Sequence, residues 1–171
     1  MTAIEEHTAS TAGKSTHDGG QPTVGDATRA TLPQLPYGDA VHAALAALQL
    51  LPDLMDAGVR QEPPNGKGDL FLRLEWQPGH DDLAPLASRL EGLTVQWSHR
   101  AGWSVRCGAD QDPLGIDKAA DPDTVAEAAL HAVLCGPGCD CVKPPPGRWE
   151  HADRLLAALT AYDQHTGGVT G

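Results

Sequence analysis

Between Leu93 and Cys107 the chain reads LTVQWSHRAGWSVRC, and apolar and polar positions alternate on both sides of a short break. Leu93, Val95 and Trp97 alternate with Thr94, Gln96 and Ser98; after His99-Arg100-Ala101-Gly102, Trp103, Val105 and Cys107 alternate with Ser104 and Arg106. A period of two on each side of a Gly-containing turn predicts a β-hairpin with one apolar face. A third strand is expected from Asp69 to Trp76, with Leu70, Leu72, Leu74 and Trp76 on one face and Phe71, Arg73 and Glu75 on the other.

Elsewhere the spacing is helical. Val41, Ala44, Leu45, Leu48 and Leu51 form one stripe, so a helix is expected from about Tyr37 or Asp39 to Leu51, after an extended lead-in at Leu32 to Pro36. Pro52-Asp53 ends or kinks it, and Leu54 to Gly58 reads as a final turn closed by Gly58. Gln61 to Gly68 is a loop by composition. His80-Asp81-Asp82 offers a cap and early negative charge for a helix to about Leu90, burying Leu83, Leu86, Ala87 and Leu90. Gly108 to Ala120 reads as a polar loop. Asp121, followed by Pro122, opens a helix that runs to Cys135 and stops at Gly136-Pro137-Gly138. A last helix is expected from about Trp149 to His165, presenting Leu155, Leu156, Leu159 and Tyr162.

The order α-β-α-β-β-α-α predicts an α+β fold, a three-stranded, mainly antiparallel sheet with helices packed on one face. One domain over residues 31–166 is expected, with a disordered tail at 1–30, where too little apolar surface is available to offset ordering entropy, and a frayed end at 167–171.

Charge narrows the function classes. Lys and Arg total 12 against 23 Asp and Glu, a net charge of -11. Direct binding to a nucleic-acid backbone or an anionic membrane surface needs the opposite balance, so a protein partner is expected instead. No basic and then apolar leader opens the chain, and the most apolar stretch, Ala40 to Leu51, is too short to span a bilayer. A cytoplasmic setting is expected, with the four cysteines reduced or metal-bound rather than paired. The string Ala12-Gly13-Lys14-Ser15-Thr16 lacks the earlier glycine, the strand and the helix of a phosphate loop, and reads as chance.

The chemical lead is H-x3-C-x3-C-x-C, made by His131, Cys135, Cys139 and Cys141. His131 and Cys135 lie one helical turn apart and share a face, and the Gly-Pro-Gly turn brings the loop cysteines back towards the helix end. Imidazole and thiolates around a tight turn suit tetrahedral zinc. The donors are either Cys107, Cys135, Cys139 and Cys141, or the last three with His131. Two other readings stand beside this one. Cys107 and Cys135 fall on apolar faces and suit small core thiols, and the loop pair suits redox chemistry. Neither half of the spacing matches the paired C-x2-C knuckles of standard zinc sites.

The polar sheet face, with Phe71, Arg73, Glu75, Thr94, Gln96, Ser104 and Arg106, has no helix left over to cover it and is the expected partner-binding surface. His99-Arg100 at the hairpin tip is expected to be exposed, with Arg100 added to that surface. No G-x-S-x-G elbow occurs, and no catalytic residue is assigned.

Taken in order, the Tyr37–Leu51 helix, the Leu70–Trp76 strand, the W-x4-GW hairpin from Trp97 to Trp103 and the helix start at Pro122, Asp123, Val125 and Ala126 resemble small uncharacterised actinobacterial α+β domains. An Ala-, Gly- and Pro-rich, Lys-poor composition agrees with that source. The resemblance implies the fold and supplies no site residues. Three functions follow as expectations. The first is a non-enzymatic accessory protein acting through protein contacts, with a structural zinc in the cysteine loop. The others are a metal- or thiol-dependent enzyme centred on that loop, and an acidic nucleic-acid mimic regulating a DNA-binding protein.

Overall fold

The computed structural model describes residues 32–62, 67–139 and 146–166; the expected tail, the expected frayed end and Cys141 lie outside the described residues. The chain is α+β, as its patterning predicts, but the sheet has five strands rather than three. These are β1 (Leu54–Glu62), β2 (Lys67–Trp76), β3 (Leu93–Ser98), β4 (Gly102–Cys107) and β5 (Asp110–Pro113). They pair in sequence order, each antiparallel to the next.

The hairpin forms as expected. Trp97 faces Trp103, and Ser98 faces Gly102 across the turn. Gly102 takes φ +80°, a left-handed conformation that a Cβ would strain. Ser98 Oγ closes the turn by accepting from Arg100 N at 3.1 Å and Ala101 N at 3.2 Å.

The two extra strands correct the sequence reading. Leu54 to Gly58 is not a helical turn but the start of β1. Met55 and Ala57 point to the core side, while Asp56, Gly58 and Arg60 lie opposite Arg73, Phe71 and Asp69 on the other face. A mid-strand glycine weakens a strand signal; here it gives room to Phe71, whose ring carbon would lie 3.3 Å from a Cβ at position 58. The supposed loop after Cys107 contains β5, whose Asp-Gln-Asp-Pro sequence shows no apolar alternation. It is an edge strand held by backbone pairing, and Pro113 sits at its end, where a missing N–H does least harm.

Helix α1 (Leu35–Ala47) begins and ends earlier than expected. Pro36 lies in the first turn, where its absent N–H costs no helical hydrogen bond. The end is a Schellman arrangement: Gln49 N donates to Ala46 O at 3.0 Å, and Leu50 N donates to Leu45 O at 3.0 Å. The left-handed position is Gln49, at φ +57°, where glycine is usual. Gln49→Gly is therefore expected to stabilise the fold by about 1 kcal/mol, through relief of Cβ strain set against the looser unfolded chain. Urea unfolding of the two proteins would measure it, and an unchanged midpoint would refute the strain argument.

Helix α2 (Leu86–Glu91) is only the second half of the helix predicted from His80. Pro85 is the reason, since within a helix it would clash with the preceding turn; instead it occupies the N-cap position, and Asp81 and Asp82 cap nothing. Starting there, the helix turns Ser88 inward, while Leu86 is 72 % and Leu90 68 % exposed. Helix α3 (Pro122–Cys135) begins as the sequence indicates, with Asp121 Oδ1 accepting from Asp123 N at 3.0 Å. Helix α4 (Ala152–Thr166) follows, slightly later than its expected start.

The core lies between the sheet's apolar face and the helices. Leu70, Leu72, Leu74, Trp76, Leu93, Val95, Trp97, Trp103 and Val105 pack against Val41 and Leu45 of α1, Val125, Ala129 and Val133 of α3, and Leu155 and Leu159 of α4. Tyr37 stands at its centre, fully buried, in edge-to-face contact with Trp97 and Trp103 at centroid distances of 6.1 and 6.0 Å. Its hydroxyl donates to Ala120 O at 2.7 Å and accepts from Trp103 Nε1 at 3.2 Å.

Burial pushes the Tyr37 phenol well above its usual range, outweighing the hydrogen bond from Trp103, and desolvation raises Tyr162 as well. A raised phenol favours the protonated, folded form. Its stabilising contribution is complete below the ordinary tyrosine value near 10 and is lost as pH climbs from there towards the folded value. Unfolding free energy is expected to fall above about pH 10, by up to ~1.4 kcal/mol per pH unit for Tyr37. An alkaline titration following phenolate absorbance should show ionisation coinciding with loss of tryptophan burial; Tyr37 ionising in a folded chain near its ordinary value would contradict this.

Candidate metal centre

The centre is built at the C-terminal end of α3. That helix turns Val125, Ala126, Ala129, Ala132 and Val133 into the core, which leaves His131 half-buried and Cys135 exposed. Gly136 N donates back to Ala132 O at 2.8 Å and closes the last turn. Gly136 at φ +87° and Gly138 at φ +70° then reverse the chain, a path that residues with a Cβ rarely follow. Cys139 returns beside the helix. One ring nitrogen of His131 and the sulfurs of Cys135 and Cys139 all lie within 4.8 Å of one another. Zn–S and Zn–N bonds of about 2.3 and 2.0 Å set tetrahedral donors ~3.3–3.8 Å apart, so modest side-chain adjustment closes this group around one ion.

A cavity of about 720 Å³ adjoins the cluster. Its walls come from Val105 of β4, from Leu114 and Ile116 after β5, from Ala128 and Ala132 of α3, and from Pro146 to Arg148. His131 and Cys139 form part of the wall, whereas Cys135 does not. The segment after β5 is fixed by core donors: Trp97 Nε1 donates to Lys118 O at 2.7 Å, and Tyr37 to Ala120 O. A bridge between Ala120 and Arg148 ties the opposite wall to it.

Of the expected ligands, three converge. Cys107 is not a member of the cluster. It lies half-buried at the end of β4, opposite Asp110 and packed against the core. Its place on the apolar strand face suits packing. Cys141 lies outside the described residues.

The residues of the expected partner surface lie on the sheet face opposite the core. Arg73, Gln96 and Ser104 form one row across β2, β3 and β4, and Glu75, Thr94 and Arg106 form the next. Thr94 is 6 % exposed, so it is shielded by its neighbours rather than offered to a partner. Arg60 and Gln111 join Phe71, Arg73, Gln96 and Arg106 around a groove of about 440 Å³. They were missed because β1 and β5 were missed. Arg73 Nη2 lies 3.4 Å from Asp56 Oδ2, and the Arg60 guanidinium lies 5.3 Å from the centre of the Phe71 ring.

The hairpin tip divides. Arg100 is exposed, but His99, expected to be exposed with it, is buried, at 4 % exposure. Its Nδ1 lies 2.8 Å from Asp69 Oδ1 and 2.9 Å from Leu70 N, and its Nε2 lies 3.0 Å from Asp163 Oδ1. The imidazole thus joins β2 to α4.

Among the described residues no helix is long and apolar enough to cross a membrane. Comparison with protein-family models, curated proteins and solved structures finds no match, so the chemistry of this centre is read from its geometry.

Proposed function

We propose that the protein is a metalloprotein whose working centre is His131, Cys135 and Cys139, holding a thiophilic divalent ion, zinc above all. The observation that carries this reading is the convergence of three donor atoms within 4.8 Å at a helix end closed by two left-handed glycines. Two thiolates and an imidazole favour zinc over calcium or magnesium, which take oxygen donors. Three donors among the described residues, beside a cavity, fit a site that takes a further ligand, as catalytic zinc sites do. A cytoplasmic setting, where thiols stay reduced, goes with it.

Elemental analysis of the purified full chain, together with cobalt substitution, tests the proposal. One equivalent of metal is expected, with the visible bands of tetrahedral cobalt and a thiolate-to-cobalt charge-transfer band. A metal-free chain that gives only the spectrum of hydrated cobalt would sink it.

A second reading, an accessory protein working through protein contacts, is favoured by a separate observation. Leu86 and Leu90 lie one turn apart on α2, and both are more than two-thirds exposed. Apolar side chains grouped in this way on a surface suit a protein contact.

A further inference from the structure

We infer that the cavity beside His131 and Cys139 binds a small, largely apolar molecule bearing one metal-coordinating head group, such as a carboxylate, hydroxamate or thiol. This rests on the metal reading above and adds the class of ligand.

The composition of the wall carries the inference. Val105, Leu114, Ile116, Ala128 and Ala132 give the cavity apolar sides, and about 720 Å³ is room for a ring-sized molecule. Three of the polar residues along the wall have partners of their own. Asp117 Oδ1 accepts from Ala119 N at 2.8 Å, Arg148 Nη2 donates to Asp153 Oδ1 at 2.8 Å, and Thr124 is buried with a partner of its own. Apolar side chains thus make up the larger share of the wall. A metal held by His131 and Cys139, both on the wall, supplies one strong anchor. Cys135 lies outside the wall, so an ion held by all three would sit between solvent-side and cavity-side donors, at the edge of the cavity. One anchor in apolar surroundings selects a molecule with one donor head and an apolar body. The chain's charge of -11 further disfavours ligands carrying several negative charges.

The test uses the cobalt-loaded full chain titrated with two hydroxamates of identical head group, acetohydroxamate and benzohydroxamate. Benzohydroxamate is expected to shift the visible cobalt bands, with the thiolate charge-transfer band retained, and to bind at least tenfold more tightly because its ring enters the apolar cavity. Ile116→Trp, on the partly exposed segment after β5, narrows the cavity and is expected to remove that advantage while leaving cobalt uptake unchanged. Cobalt bound normally, but with no spectral response or with equal affinity for both probes, overturns the inference and leaves the metal reading standing. A chain that takes up no cobalt overturns both.

Discussion

Tyr37→Ala is expected to lower the free energy of unfolding by about 4–5 kcal/mol, out of a total of ~5–15 kcal/mol for a domain of this kind. The loss has two sources. The ring is fully buried among Trp97, Trp103 and Trp149, with centroids 5.0 to 6.1 Å away, so truncation leaves a cavity walled by rigid aromatics that cannot collapse into it. The hydroxyl also satisfies two buried groups, the Ala120 carbonyl and the Trp103 indole N–H. Tyr37→Phe separates the terms. It keeps the ring and orphans the two partners, at a cost of about 2 kcal/mol. Urea unfolding followed by tryptophan fluorescence reads both variants. A Tyr37→Phe protein as stable as the parent would show that the hydroxyl bonds contribute nothing net. The same hydroxyl holds Ala120 at the root of the cavity wall, so this variant should also loosen the segment from Leu114 to Ala120. Faster amide exchange there would report it.

What could be read from the sequence follows from where packing writes a pattern. The hairpin was legible because one of its faces is buried against helices, so each inward position had to be apolar. The β5 strand was not, because its four residues lie at a sheet edge and are held by backbone bonds that leave no trace in side-chain type. The β1 strand fell between these cases. Met55 and Ala57 face the core, but Leu54 lies on the opposite face and Gly58 interrupts the run, which together imitate a helix end. In α2 the apolar stripe was misread: a helix that starts after Pro85 turns Ser88 inward and leaves Leu86, Ala87 and Leu90 exposed, so that of the four residues expected inside only Leu83 is buried. The candidate centre was legible as far as local spacing reaches. His131 and Cys135 share a face by helical geometry, and Gly136 and Gly138 marked a reversal. Whether Cys107 joined them depended on how far the end of β4 lies from the end of α3, a tertiary distance that no local pattern encodes. His99 was misread for a similar reason. A turn residue is ordinarily solvated, and only the packing of α4, with Asp163, against the tip buries it.

His131→Ala is expected to weaken metal binding by a factor of a hundred or more. Structural zinc sites gain about 10–16 kcal/mol from four donors, so one donor is worth ~3 kcal/mol, and each 1.4 kcal/mol is tenfold. Cys135→Ser and Cys139→Ser should weaken it at least as much, because a neutral hydroxyl replaces a thiolate. Cys107→Ser should leave affinity unchanged, since that residue stands apart from the cluster. Competition against a chromophoric chelator would rank the four variants. The ranking separates this geometry from the four-cysteine alternative, in which Cys107→Ser is as damaging as the others and His131→Ala is silent. Acidification should weaken binding in the parent chain, because protons compete for the same three donor atoms. The site also links binding to folding. Two of its donors lie on the last turn of α3 and the third lies beyond the Gly-Pro-Gly reversal, so an ion held by all three fastens that turn. Metal at a hundredfold excess over its dissociation constant adds ~2.7 kcal/mol of stability if the unfolded chain does not bind it. Zinc should therefore raise the thermal midpoint of the parent and of Cys107→Ser, but not that of His131→Ala. A midpoint in His131→Ala that zinc raises as much as in the parent would place the ion elsewhere.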